Sequence, residues 1–379
     1  MKTKVILITN IISPYRIPLF NWISKNEDFD FKVVALAESE KNREWRIAKK
    51  DIEFDYQILP GWHTLIRGKK REIPIHLNRG LFKVLGQYSP DIVITAGYDH
   101  LAFWQAFLYC KIFRKGYILW NGTTLMSAGG IKGVRGLLKK IIIKGTDKYI
   151  AYGAEAKEYL EKFGADEKDI YISTNTADVE GMRDMVLRYR NSKEFLTERR
   201  NDPKILFLYV GQLIKRKGVG QVLAALSILK DPEIGFMIVG SGPEKKSLEN
   251  FCVRNRLQNV FFEGFHQPEE LPKYYALADI FILPSFQEVW GLVINEALAG
   301  GLYSLCSKYA GVGHDLINGN NGKIFNPYSV REIVDNIKEI KNKLPELRAN
   351  REKISRWASE NLSITKSGEG FISAIEFVK

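Results

Sequence analysis

Two glutamates, Glu288 and Glu296, stand with seven residues between them in Pro284-Ser285-Phe286-Gln287-Glu288-Val289-Trp290-Gly291-Leu292-Val293-Ile294-Asn295-Glu296-Ala297-Leu298-Ala299-Gly300-Gly301. Carboxylates accept hydrogen bonds from hydroxyl groups, so such a pair suits a polyhydroxylated ligand. The apolar run 280–283 reads as a buried strand, 285–290 as a loop, and a helix begins near Gly291. Its first N–H groups, from Gly291, Leu292 and Val293, point back at the loop and favour an anion. Glu296 then lies about 7 Å further along the helix axis. A second turn, Gly211-Gln212-Leu213-Ile214-Lys215-Arg216-Lys217-Gly218, also follows a strand and opens a helix. Basic residues beside a glycine turn at a helix start can meet a diphosphate. Together the two stretches imply a ligand with phosphates at the helix starts and hydroxyls on the glutamates.

The elements that carry these residues repeat in two halves. In the first, 5–9, 31–36, 52–58, 91–95, 117–120, 148–151 and 169–173 read as strands, with helices over 17–23 and 102–113. Residues 179–203 are polar and read as a linker plus a surface helix. The alternation then restarts: strands over 205–210, 235–239, 260–262, 280–283 and 302–306, and helices over 218–229, 244–255, 269–278 and 331–342. Strand–helix alternation predicts parallel sheets covered on both faces, with ligands beyond the strands' carboxyl ends.

These motifs resemble those of retaining glycosyltransferases of family 4, the group 1 glycosyltransferases of GT-B type. The paired glutamates match that family's E-x7-E element, and Gly211 to Gly218 its G-R-L…K-G turn. Gly240-Ser241-Gly242-Pro243 is similar to its G-x-G-P turn. Glu263-Gly264-Phe265-His266 matches its F-x-G segment, residues 310–322 its glycine-rich wall, and Asn175-Thr176-Ala177-Asp178 its N-G-x-D stretch. The resemblance implies two facing Rossmann-like domains with parallel sheets and a C-terminal helix crossing back to the first. The expected division is 1–178 plus about 365–379 on the acceptor side, and 200–364 on the nucleotide-sugar side. It implies that Lys217 neutralises the departing diphosphate, that Glu288 orients the donor sugar, and that Glu296 accepts from the ribose hydroxyls. Phe265 is expected to stack on the nucleobase, and Arg16 to touch the donor phosphates or the acceptor. Gln212 stands where the family has arginine, leaving Arg216 or Lys215 as the second phosphate contact. Asn121, in Trp120-Asn121-Gly122-Thr123, stands where many members have a histidine. His100, in Gly97-Tyr98-Asp99-His100, is a further candidate for catalysis.

Composition bounds the rest. The 379 residues suffice for two domains. Three scattered cysteines, Cys110, Cys252 and Cys306, imply a reducing compartment, with neither a disulfide framework nor a metal cluster. The N-terminus reads as a first strand rather than a leader, and no apolar run is long enough to span a membrane. Residues 60–150 carry fifteen Lys and Arg against four Asp and Glu, nearly all of the net charge of +12. Basic residues interleaved with large apolar ones at 62–71 and 132–148 predict a helix or loop on an anionic membrane surface. No nucleic-acid-binding motif is present. The resulting expectation is a cytoplasmic enzyme, peripheral at the inner face of the membrane. It transfers a hexosyl or N-acetylhexosaminyl group, with retention, from a UDP-sugar, or else a GDP-sugar, to a glycan or lipid-linked acceptor of the cell envelope. No metal or other cofactor is expected. A soluble small-molecule acceptor, or a non-catalytic basic module binding membranes or nucleic acid, is the alternative.

Overall fold

In the computed structural model the chain divides into two compact units, 1–175 with 364–379, and 176–363. The structure describes residues 2–40, 43, 44, 46, 47, 49–67, 72–128, 133–199 and 203–378.

The N-terminal unit holds strands β1 (Thr3–Thr9), β2 (Phe29–Ala35), β3 (Asp55–Ile58), β4 (Gly61–Arg67), β5 (Glu72–Asn78), β6 (Ile92–Thr95), β7 (Gly116–Asn121), β8 (Lys148–Ala151) and β9 (Ile170–Ile172). Its helices are α1 (Ile17–Ser24), α2 (Leu81–Tyr88), α3 (Leu101–Phe113), α4 (Val134–Lys144) and α5 (Ala154–Lys162). Seven strands form a parallel sheet in the order β3-β2-β1-β6-β7-β8-β9. Successive residues of β1 feed opposite cores. Ile6 and Ile8 join Phe103, Tyr117 and Leu119, while Val5 and Leu7 join Phe20, Ile94 and Trp120. Burial on both faces is why these strands read as unbroken apolar runs.

The C-terminal unit opens with α6 (Val179–Arg190) and α7 (Lys193–Arg199). It continues with β10 (Ile205–Val210), α8 (Val219–Leu229), β11 (Ile234–Val239), α9 (Lys245–Asn255), β12 (Val260–Gly264), α10 (Leu271–Leu277) and β13 (Ile280–Leu283). It closes with α11 (Leu292–Ala299), β14 (Tyr303–Ser307), α12 (Gly311–Leu316), β15 (Gly322–Phe325), α13 (Val330–Ala349) and α14 (Arg351–Leu362). Its six-stranded parallel sheet runs β12-β11-β10-β13-β14-β15. The last helix, α15 (Ile364–Glu376), belongs to the N-terminal unit. Phe371 packs edge-on to Trp120, and Gly368 lies so close to Trp22 that a Cβ there would meet the ring at 2.2 Å.

Three expectations need correction. The stretch 179–199 is not a linker with one surface helix: α6 buries Val179, Met182 and Val186, one helical face, and hands Arg190 to the carbonyls of Tyr275 and Ala276. The helix expected over 269–278 splits, because a 3-10 turn, Pro268–Glu270, precedes α10. The basic segment at 62–71 is neither helix nor loop where it is described. Trp62, Leu65 and Ile66 lie on β4, paired antiparallel with β5. Trp62 and Ile66 share one face of the strand, and Leu65 lies on the other. Lys69, Lys70, Arg71 and, in the second cluster, Lys132 lie outside the described residues.

Candidate active site

The C-terminal sheet reverses its strand order between β10 and β13, neighbours in the sheet. The chain leaves β10 toward β11 and β12, and leaves β13 toward β14 and β15. The chain therefore turns opposite ways after these two neighbouring strands, the place where open parallel sheets bind ligands. One loop carries Gln212, Arg216 and Lys217; the other carries Glu288.

Backbone contacts fix the two loops to each other. Phe286 N–H donates to the Arg216 carbonyl at 2.8 Å, and Arg216 Nη1 donates to the Gln287 carbonyl at 2.6 Å. Gly218 sits at φ +71°, and a Cβ there would fall 2.0 Å from the Pro284 carbonyl oxygen. Only glycine allows both the left-handed turn and this approach. Gly240, at φ +145°, is pressed in the same way against the Gly211 carbonyl. Glu288 is held from a third side by the loop after β14. Its N–H donates to the Tyr309 carbonyl at 3.0 Å, and its own carbonyl accepts from Gly311 at 3.3 Å.

Within this frame Lys217 Nζ donates to Glu288 Oε2, and Arg216 Nη1 lies 3.7 Å from the same oxygen. The Lys217 and Glu288 side chains are each only 15% exposed. Burial alone would raise the Glu288 carboxyl, but the Lys217 and Arg216 charges outweigh it and hold the group below its ordinary range. Gly291, at φ +110°, caps the start of α11, so the N–H groups of Leu292 and Val293 open toward Glu288's loop. The arrangement is a cationic pair beside a helix start, with one oriented carboxylate. It can receive a diphosphate and accept from a hydroxyl.

Glu296 is on the same helix and is buried. Tyr275, itself fully buried on α10, donates its hydroxyl to Glu296 Oε2 at 2.6 Å. Burial drives the Glu296 carboxyl up to about 7, against the opposing pull of that hydrogen bond. Sequence reasoning missed Tyr275; a tyrosine in an apolar helix, 21 residues from its partner, gives no local signal. The Gln212 carbonyl accepts from the Tyr209 hydroxyl at 2.8 Å. Phe265, exposed, follows Gly264 at the end of β12, where the turn runs at φ +82°.

Arg16, His100 and Asn121 belong to the N-terminal unit. Each follows or ends a central strand there. The Arg16 guanidinium stacks on Trp120 at 4.2 Å and donates to the Tyr152 hydroxyl at 2.7 Å. Asn121 ends β7 with its side chain folded onto its own turn, donating to the Thr123 carbonyl and accepting from the Thr123 N–H. His100 precedes α3 and is buried against His76 and Phe103. All three cysteines are free and buried.

Residues 191–357, less than half of the chain, match the model of the family described as glycosyl transferases group 1. Among curated relatives, the uncharacterized glycosyltransferase MJ1178 of Methanocaldococcus jannaschii is 28% identical over 154 residues, 41% of each chain. Sulfoquinovosyl transferase SQD2 of Arabidopsis thaliana is 31% identical over 160 residues, 40% of this chain and 30% of its own. The match thus spans less than half the length of these curated relatives. Likeness of fold extends further. Anabaena Alr3699/HepE, solved in complex with UDP, superimposes with a TM-score of 0.76 at 15% identity, covering 99% of this chain and all of that one. The fold is therefore of GT-B type, with two Rossmann-like units. The match to the group 1 glycosyl transferase model covers the stretch that holds Lys217, Glu288 and Glu296.

Proposed function

We propose that this protein is a retaining glycosyltransferase of family 4. It moves a hexosyl or N-acetylhexosaminyl group from a UDP-sugar to a glycan or lipid-linked acceptor in the synthesis of cell-envelope glycoconjugates. The partly buried Lys217–Glu288 pair at the strand-order reversal carries the reading, because it combines a phosphate-neutralising cation with a hydroxyl-accepting carboxylate in one partly dry site. UDP as the nucleotide, with GDP second, draws on the UDP bound to the HepE protein of the same fold.

In this mechanism Lys217, Arg216 and the first N–H groups of α11 take the diphosphate as its bond to the anomeric carbon breaks. Glu288 holds sugar hydroxyls, and Glu296 accepts from the ribose. The acceptor attacks on the face that the diphosphate leaves, giving its proton to the departing phosphate. No protein nucleophile and no metal enter the scheme. Release of sugar from a labelled UDP-hexose panel tests it. Glu288→Ala should lower turnover by about 10²–10³-fold, the scale of one lost electrostatic partner in a water-poor site. Unchanged turnover would remove Glu288 from the chemistry.

The membrane-borne acceptor is also proposed, with the protein at the inner face of the membrane. Leu137, Leu138 and Ile141 stand exposed on α4 beside exposed Lys140 and Lys144, and Trp62 and Ile66 stand exposed on β4. Apolar and cationic side chains side by side on α4 suit an anionic bilayer. Among the described helices none is long and apolar enough to cross a membrane.

A further inference from the structure

The N-terminal sheet has its own strand-order reversal, between β1 and β6. The loops beyond those two strands carry Asn10 and His100. Over them lie Glu40, beyond β2, and a directly opposed cross-strand pair, His63 on β4 and His76 on β5. Three of the chain's five histidines meet here. Glu40, His76 and His100 are buried, and His63 is partly exposed.

The hydrogen-bond polarity of this group follows from its chemistry. Asn10 Nδ2 donates to Glu40 Oε1 at 3.2 Å, and Arg43 Nε lies 3.7 Å from Glu40 Oε2. Both are donors only, so Glu40 acts as an anionic acceptor. Burial would raise its carboxyl, but the His76 hydrogen bond, the Arg43 charge and Asn10 outweigh burial and hold it low. His76 Nε2, 3.4 Å from Glu40 Oε1, therefore carries a proton. The other ring nitrogen of His76 then keeps its lone pair in the neutral form. It lies 3.1 Å from His63 Nδ1, which must donate to it. His63 Nε2 is left as a bare acceptor, with no partner among the described residues. His100 closes the back, its ring 4.9 Å from that of His76 and its Nε2 4.0 Å from Asp99. Burial lowers the affinity of both His63 and His100 for a proton, so these two rings favour the neutral form.

We propose that Glu40, His76 and His63 form a hydrogen-bonded relay whose terminal His63 Nε2 accepts from a hydroxyl of a neutral sugar bound to the N-terminal unit. This rests on the glycosyltransferase reading and gives the acceptor a chemical class. A chain that ends in a lone pair, with a carboxylate behind it, repels an anion and selects an O–H donor. His63 is thereby a binding residue; His76 and Glu40 are positioning residues that fix its tautomer.

The test uses the full chain with 15N-labelled histidine rings and long-range 1H–15N spectra, which read each ring's tautomer. His63 should carry its proton on Nδ1 and His76 on Nε2. A panel of neutral methyl glycosides should shift His63 Nε2, while UDP should leave it in place. Glu40→Gln and His76→Gln should each weaken the effective glycoside about tenfold, the scale of one lost hydrogen bond. The reverse tautomer at His63 would overturn the proposal. So would a panel without effect on His63 in a protein that still binds UDP. Failure to bind any nucleoside diphosphate would instead count against the glycosyltransferase reading, and His63 could still be scored by its tautomer and its response to the glycosides.

Discussion

Replacing Glu296 with Gln should stabilise the protein, and only at neutral to alkaline pH. The carboxyl is buried, and its affinity for protons is raised from an ordinary value of 4.5 to about 7. A group whose pKa is higher folded than unfolded contributes fully below its unfolded value, and that contribution is lost as pH rises through the folded value. Keeping Glu296 ionised in its site above pH 7 therefore costs about 3 kcal/mol, at 1.36 kcal/mol per pH unit. Glutamine is neutral at every pH and keeps an oxygen for the Tyr275 hydroxyl, so Glu296→Gln escapes the cost. The gain over wild type should be near zero at about pH 4.5 and reach about 3 kcal/mol at about pH 8.5. For a unit of this size that is a rise of roughly 6–12 °C in its melting temperature. Calorimetry of both proteins across that range, following the transition of the C-terminal unit, reads it directly. A gain that is equal at both ends, or absent at the alkaline end, would refute the claim that Glu296 is strained by ionisation. The result also bears on function, since a carboxylate kept at such a cost is expected where a ligand hydroxyl repays it.

Other perturbations separate scaffold from chemistry. Asp279 is buried and accepts from Arg348, Arg351 and the Leu206 N–H, so Asp279→Ala leaves two arginines uncompensated and should cost about 3–5 kcal/mol in urea unfolding. Gly218→Ala drives a Cβ into the Pro284 carbonyl and strains a left-handed turn. It should lose about 1–3 kcal/mol of stability, and nucleotide affinity with it, by calorimetry and by titration. Lys217→Ala leaves Glu288 with Arg216, at 3.7 Å, as its remaining cation, and should lower sugar transfer by about 10²–10³-fold beyond any loss of stability, read as turnover against melting temperature.

The parallel sheets were legible because strands buried on both faces read as apolar runs, as at Ile205–Val210 and Ile280–Leu283. The Lys217 and Glu288 turns were legible because glycine and charge mark strand-to-helix loops at sheet ends. What lay hidden depends on long-range approach. Arg190 reaches carbonyls 85 and 86 residues away, which turned a polar stretch into part of the C-terminal unit. The sequence between β4 and β5, Gly68-Lys69-Lys70-Arg71, lacks the Asn-Gly pair that would have announced their antiparallel pairing. The contacts by which the Asn121 amide closes the turn to Thr123 were not legible either. The Glu40–His76–His63 chain joins residues 36 and 13 positions apart, and no local pattern could assemble it.

The central claim, that the Lys217–Glu288 site receives a nucleoside diphosphate, is tested most directly by thermal unfolding of wild type and Lys217→Ala with UDP, GDP, ADP, TDP and CMP. A nucleotide at a hundred times its Kd should add about 2.7 kcal/mol to the native state. The account predicts a melting shift of wild type with UDP, lost in Lys217→Ala. No shift with any nucleotide, or the same shift in both proteins, would contradict it.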